Sequence, residues 1–153
     1  MIDTQEFQAD GVRDLLAYVV TRLSGVPLSD TVVVVLLARA ADADRVVAVH
    51  PMALREAGQR LNTLRATATE THASRALVTV FDPDVEVADT VSTAVAMGLH
   101  LDTVRVQVGG DEWHELTASP SAEHGLVADL DSSSMAAQTV VAGLPFPLLR
   151  GSR

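Results

Sequence analysis

Residues 31–38 read TVVVVLLA, an unbroken run of apolar, mostly β-branched residues of strand length. A strand with one exposed face alternates polar and apolar residues, so a run without polar positions indicates burial on both faces. Such a strand needs cover on each side. We therefore predict an α/β fold, a three-layer domain whose mixed, partly parallel sheet is covered by helices. The chain of 153 residues suffices for one domain over residues 1–153, with irregular termini at 1–9 and 145–153.

The segments on either side of this run predict its neighbours. Apolar residues recur every three or four positions over residues 12–23, which is typical of an amphipathic helix. Residues 45–49 predict a second strand, antiparallel to the first. Pro51 is expected to open the next helix, in the position where proline is tolerated, and a further apolar stripe continues it to about His72.

The second half begins with a strand–helix–strand unit. Residues 75–81 predict a strand, Val87 starts an apolar helical stripe that Gly98 closes, and residues 103–108 predict the next strand. The two strands of such a unit are expected to be parallel, with a right-handed connection.

The strand over residues 103–108 alternates valine with polar residues. Arg105 and Gln107 fall on one side of it, which predicts an exposed sheet face or an edge. Two glycines then predict a tight hairpin into residues 112–116, and residues 126–130 predict a last short strand. The sheet would have five or six strands, and a final helix would follow.

Composition narrows the class of protein. The chain has 20 acidic and 11 basic residues, a formal charge of −9, which argues against nonspecific nucleic-acid binding. The absence of cysteine excludes a disulfide scaffold, a thiolate metal site and a cysteine nucleophile. No apolar run approaches the ~20 residues of a membrane span. The acidic start lacks the order of a signal peptide, so we expect a cytoplasmic protein without membrane or nucleic-acid partners.

Three groups of residues carry a resemblance to a family. They precede the valine run, surround the tryptophan and begin the last predicted helix: Asp14-Leu15-Leu16-Ala17 with Gly25, Asp30 and Thr31; Glu112-Trp113-His114; and Leu130-Asp131-Ser132-Ser133-Ser134 with Ala136, Ala137, Ala142, Gly143 and Arg150. In this order they resemble the actinobacterial domain of unknown function numbered 4192. The chain departs from that pattern at Leu28, where the family has proline, and at Glu112, where it has arginine. The resemblance implies a short or phage-borne relative and carries no established activity.

Carboxylates at two predicted helix starts are candidate ligands. Asp82 and Asp84 follow the carboxyl end of a predicted parallel strand, where α/β sheets bind ligands, and two carboxylates can hold Mg²⁺. The alternative is helix capping, with Asp82 as N-cap and Pro83 as first helical residue. Asp131 joins this candidate site if its strand ends at the same edge of the sheet.

The hairpin from Thr103 to Leu116 holds the candidate interaction residues. Trp113 is the only tryptophan and is either a packing anchor or a binding hot spot. Arg105 and Gln107 lie on a strand that could pair with another chain if it were at an edge.

Two functional hypotheses therefore stay open. The first is a non-catalytic protein-interaction or self-associating module without a cofactor. The alternative is a Mg²⁺-dependent enzyme, or a binding domain for a phosphate-bearing small molecule, whose carboxylate site is helped by an arginine.

Overall fold

A computed structural model describes residues 12–23, 29–40, 43–117 and 122–132. The elements are α1 (Val12–Leu23), β1 (Thr31–Ala40), β2 (Ala43–Ala53), α2 (Leu61–Glu70), β3 (Arg75–Phe81), α3 (Val85–Leu99), β4 (Asp102–Gly109), β5 (Glu112–Glu115) and β6 (His124–Leu126), with short 3-10 segments at Leu54–Glu56 and Val127–Ser132. The predicted irregular termini and final helix lie outside the described residues. No described helix is long and apolar enough to cross a membrane.

The strands form one six-stranded sheet in the order β2-β1-β3-β4-β5-β6. Only β3 and β4 are parallel, as the strand–helix–strand pattern predicted; every other pair is antiparallel. Because of these directions, β3, β4 and β6 end at the same edge of the sheet, which we call the carboxyl edge. The mixed α/β fold predicted from the sequence is confirmed.

The valine run explains the layering. Alternate residues of β1 point to opposite faces, since side chains in a strand alternate. Val33, Val35 and Leu37 pack with α1, whereas Val32 and Val34 pack with α2 and α3. Both faces of β1 are therefore buried, as the absence of polar residues in the run predicted.

The structure corrects the prediction that Pro51 opens a helix. Pro51 lies in β2 opposite Val33, and α2 begins only at Leu61. Among the described strands β2 pairs with β1 alone, and proline is tolerated on such an edge strand because its missing N–H can face away from the sheet. The ladder also shifts register at Leu36 and Leu37, which leaves Val47 as an extra, bulged residue in β2.

The structure also corrects the exposed face or edge predicted for residues 103–108. β4 lies between β3 and β5, and α3 packs over the face that carries Arg105 and Gln107. The sequence pattern failed here because both polar side chains form internal hydrogen bonds, which let them lie under a helix.

The two helices on this face touch near one end of α3. A Cβ at Gly98 would overlap the side chain of Leu61, so glycine lets α2 and α3 approach. The prediction that Gly98 closes the helix is wrong by one residue, because α3 runs to Leu99. Its C-cap is His100, which adopts the left-handed conformation.

Candidate functional site

Asp82 and Asp84 organise the start of α3. Asp84 is the N-cap, and its Oδ1 accepts hydrogen bonds from the backbone amides of Glu86 and Val87 at 2.9 and 3.4 Å. The Oδ1 atom of Asp82 accepts one from the amide of Asp84 at 2.9 Å. Capping occurs here as the sequence indicated, but the cap is Asp84 rather than Asp82, and Pro83 precedes the helix.

This loop is also held from the neighbouring strand. The buried Gln107 donates from Nε2 to the carbonyl oxygen of Asp82 at 2.7 Å. At Gly109 a Cβ would lie 3.0 Å from the Cα of Pro83, so only a residue without a side chain fits easily under the loop. The loop that carries both aspartates is thus fixed by β4, through the bond from Gln107 and the close approach of Gly109.

Asp131 does not follow a strand over residues 126–130 as predicted, because β6 ends at Leu126 and a 3-10 segment begins at Val127. It lies in the 3-10 segment that follows β6, and β6 ends at the carboxyl edge where Asp82 follows β3. Three strand spacings separate β3 from β6, which amounts to ~14 Å. Within the described part of the chain no group of three potential metal ligands is found. The Mg²⁺ site of the alternative hypothesis stays a prediction.

Arg105 joins three elements. Its NH1 donates to Asp89 Oδ1 at 2.6 Å and to Thr93 Oγ1 at 2.9 Å, both on α3. Its NH2 donates to the carbonyl oxygen of Leu116, just beyond β5, at 2.8 Å. The guanidinium is therefore occupied inside the domain, where it holds α3 against β4 and the end of β5.

Trp113 is buried in the core on the α1 side of the sheet. It lies opposite Gly125 of β6, and a Cβ at Gly125 would lie 3.0 Å from the indole Nε1. The glycine therefore makes room for the ring. This is the packing role, and the ring is not accessible to a binding partner.

The exposed apolar residues share one side of the molecule. Of the described large hydrophobic residues, three are exposed: Val85 at 48%, Met97 at 70% and Leu126 at 51%. Val85 and Met97 lie on α3. Leu126 pairs with Glu112, one position away from the inward-facing Trp113, and therefore points to the α3 side of the sheet.

The sheet face beside α3 continues this surface. His114 and His124 lie directly opposite each other on β5 and β6, on the same face as Glu112 and Leu126. Three of these four side chains are exposed and His114 is half-buried. We call the outward residues of α3 together with this face of β5 and β6 the α3 surface. This surface was not predicted from the sequence, although Met97 falls off the predicted apolar stripe of α3.

The charges on this side of the sheet are divided between two regions. Around α2 the exposed arginines are Arg55, Arg60 and Arg65, and only Arg60 has an ion pair with a described residue, Glu56 at 3.6 Å. The α3 surface instead carries exposed carboxylates, at Asp84, Glu86, Asp89 and Glu112, against the single internally bonded Arg105.

His50 is the one histidine whose pKa is clearly shifted among the described residues. It lies half-buried on β2, and its buried Nε2 has no hydrogen-bond partner in the described part of the chain. Burial, with a smaller contribution from the Arg60 charge, lowers the pKa of His50 below its ordinary value, because the protonated ring loses solvation.

Comparison with known proteins gave no match to a family model, a curated protein or a solved structure. The resemblance to the domain family numbered 4192 therefore stays a prediction.

Proposed function

We propose that the chain is a non-catalytic protein-interaction module that self-associates through the α3 surface. The observation that carries the proposal is the placement of Val85, Met97 and Leu126, the exposed large apolar residues of the described chain, on one side of the sheet. Single exposed apolar residues are ordinary on a protein surface, and Val85 and Met97 lie ~18 Å apart along α3. What favours this side as the binding face is that the exposed large apolar residues of the described chain lie on it and not on the α1 side.

The polar residues first considered for an interaction or a site support this choice of surface. Asp82, Asp84, Arg105 and Gln107 are all committed to hydrogen bonds inside the domain. Their bonds hold α3 firmly against β4, and at Asp82 and Asp84 they use one carboxylate oxygen each. A rigid helix face suits association, because little conformational entropy is lost when it binds.

The available area is sufficient for a dimer. α3 has 15 residues and is ~22 Å long. α2 lies beside α3 in one direction, and strands β5 and β6 lie beside it in the other. Measured across the helix axis, this face of the molecule is therefore about 30 Å wide, and with the length of α3 it has a footprint of roughly 650 Å². A stable interface buries ~800 Å² of accessible surface on each copy, and accessible surface exceeds its flat footprint.

Sedimentation velocity over a range of concentrations tests the proposal. We expect a species of about twice the 16.2 kDa chain mass, and we expect Met97→Glu to weaken its association at least tenfold. Burial of a methionine side chain contributes ~1.5–3 kcal/mol, and each 1.4 kcal/mol is a factor of ten. Leu126→Glu should act in the same direction.

Ala128→Glu is the matched control, since Ala128 is exposed and lies in the 3-10 segment that packs on the α1 side. A chain that stays monomeric up to ~100 µM would overturn the proposal, as would a control variant that weakens association as much as Met97→Glu.

A further inference from the structure

We infer that the self-association is a two-fold dimer in which the α2 arginines of each copy face the α3-surface carboxylates of the other. The inference rests on the proposed function and adds the chemistry of the contact. It follows from the division of charge between α2 and the α3 surface, because both regions lie on the same side of the sheet.

The charges that matter are those that form no ion pair among the described residues. Arg55 and Arg65 are exposed and make no ion pair with a described residue, and the same holds for Glu86 and Glu112. Exposed charges of opposite sign on adjacent regions of one face are complementary to a second copy of that face. Such complementarity determines which surfaces meet and in which orientation.

A two-fold axis satisfies both regions at once. In a two-fold interface the same patch serves both copies, so that if residue i contacts residue j, then j also contacts i. With the axis in the interface plane, between α2 and α3, the arginine region of each copy lies over the carboxylate region of the other. The contact between arginines and carboxylates is then made twice, once on each side of the axis.

The apolar contact falls near the boundary between the two regions. Gly98 is the point at which α3 approaches Leu61 of α2, and the exposed Met97 is its neighbour. Arg65 lies one helical turn beyond Leu61, on the flank of α2 that approaches α3. Met97 therefore lies beside the arginine region, whereas the nearest carboxylate of α3, Asp89, lies ~12 Å away along the helix.

A charge-reversal experiment tests the pairing. The basic-reversed variant is Arg55→Glu/Arg65→Glu, and the acid-reversed variant is Glu86→Arg/Glu112→Arg. In each variant alone, every contact across the axis joins like charges, and we expect association to weaken at least tenfold. When the two variants are mixed, every contact joins opposite charges again, and a heterodimer of near wild-type affinity should form.

The matched control is Arg39→Glu/Arg45→Glu, which makes the same change in net charge at two exposed arginines on the β1–β2 hairpin. It should dimerise like the wild type and should rescue the acid-reversed variant only in part, because in that pair one of the two symmetry-related contacts still joins like charges. Trp113 fluorescence and the thermal midpoint of each variant verify that it is folded. Raising salt from 0.1 M, where the Debye length is ~10 Å, should weaken the wild-type dimer.

The outcomes separate the two proposals. A wild-type dimer that Met97→Glu disrupts, but whose charge-reversed variants associate normally or are not rescued by mixing, overturns the charge pairing and leaves the self-association intact. A monomeric wild type overturns both. Rescue on mixing to near wild-type affinity, clearly stronger than the partial rescue by the control variant, supports the two-fold contact between α2 and the α3 surface.

Discussion

The removal of the Arg105 guanidinium tests how α3 is held on the sheet. Arg105→Met keeps most of the aliphatic stem but loses every hydrogen bond of the head group. The bond to Asp89 contributes at most ~1 kcal/mol, because the Asp89 side chain is 60% exposed. The carbonyl of the buried Leu116 loses a charged donor, which costs about 1–3 kcal/mol. We therefore expect a loss of about 2–3 kcal/mol and, for a chain of this size, a fall in Tm of roughly 5–10 °C.

Urea unfolding followed by the fluorescence of Trp113 is the assay, since the chain has one tryptophan and it is buried. Arg105→Lys should fall between the wild type and Arg105→Met, because one ammonium group cannot reach both α3 and the Leu116 carbonyl. Arg45→Met, at an exposed arginine, is the control and should leave stability unchanged. An Arg105→Met variant within ~0.5 kcal/mol of the wild type would refute the assignment of Arg105 as the clamp.

Three further predictions concern single positions, and a fourth concerns Mg²⁺. Asp84→Ala should lower the free energy of unfolding by about 1 kcal/mol through loss of the N-cap, measured by urea unfolding, and Asp84→Ser should restore most of it. Gly109→Ala should cost about 1–3 kcal/mol in the same assay because its Cβ meets loop backbone, whereas Gly58→Ala, with open space around it, should be neutral or slightly stabilising. Because burial lowers the pKa of His50 in the folded state, the unfolded chain takes up its proton first; stability should fall as pH drops below about 6.5, and His50→Gln should reduce that fall in pH-dependent unfolding. Mg²⁺ should leave Tm unchanged, since one oxygen of Asp82 and one of Asp84 already accept hydrogen bonds from loop amides. A ligand at 100 times its Kd stabilises the folded state by ~2.7 kcal/mol. A rise in Tm that corresponds to this free energy, and that Asp82→Asn abolishes, would support the metal hypothesis instead.

The elements that the sequence predicted well are those with an unambiguous period. The bounds of α1 and β3 match the apolar patterns at residues 12–23 and 75–81. β1 is buried on both faces because its run contains no polar residue to point outward. These patterns are local, and each has one structural solution that buries its apolar residues.

The failures occurred where a distant element decides the outcome. Pro51 suits the first turn of a helix and an edge strand equally well, and only the completed sheet shows that β2 lies at an edge. Arg105 and Gln107 alternate with valine like solvent-facing residues, yet their partners on α3 and in the loop at Asp82 lie far away in sequence. Capping before α3 was predicted, but two aspartates around one proline did not show which of them caps.

The two edge strands of the described sheet, β2 and β6, limit how copies of this chain can assemble. β2 carries a bulge at Val47 and a proline at position 51, and β6 has only three residues. Neither offers a long, regular row of free amides and carbonyls, so a neighbouring chain finds no template for adding strands. Growth by strand addition into filaments is thereby opposed. The two-fold contact proposed above would instead close at two subunits, because each copy uses the same patch and leaves none for a third.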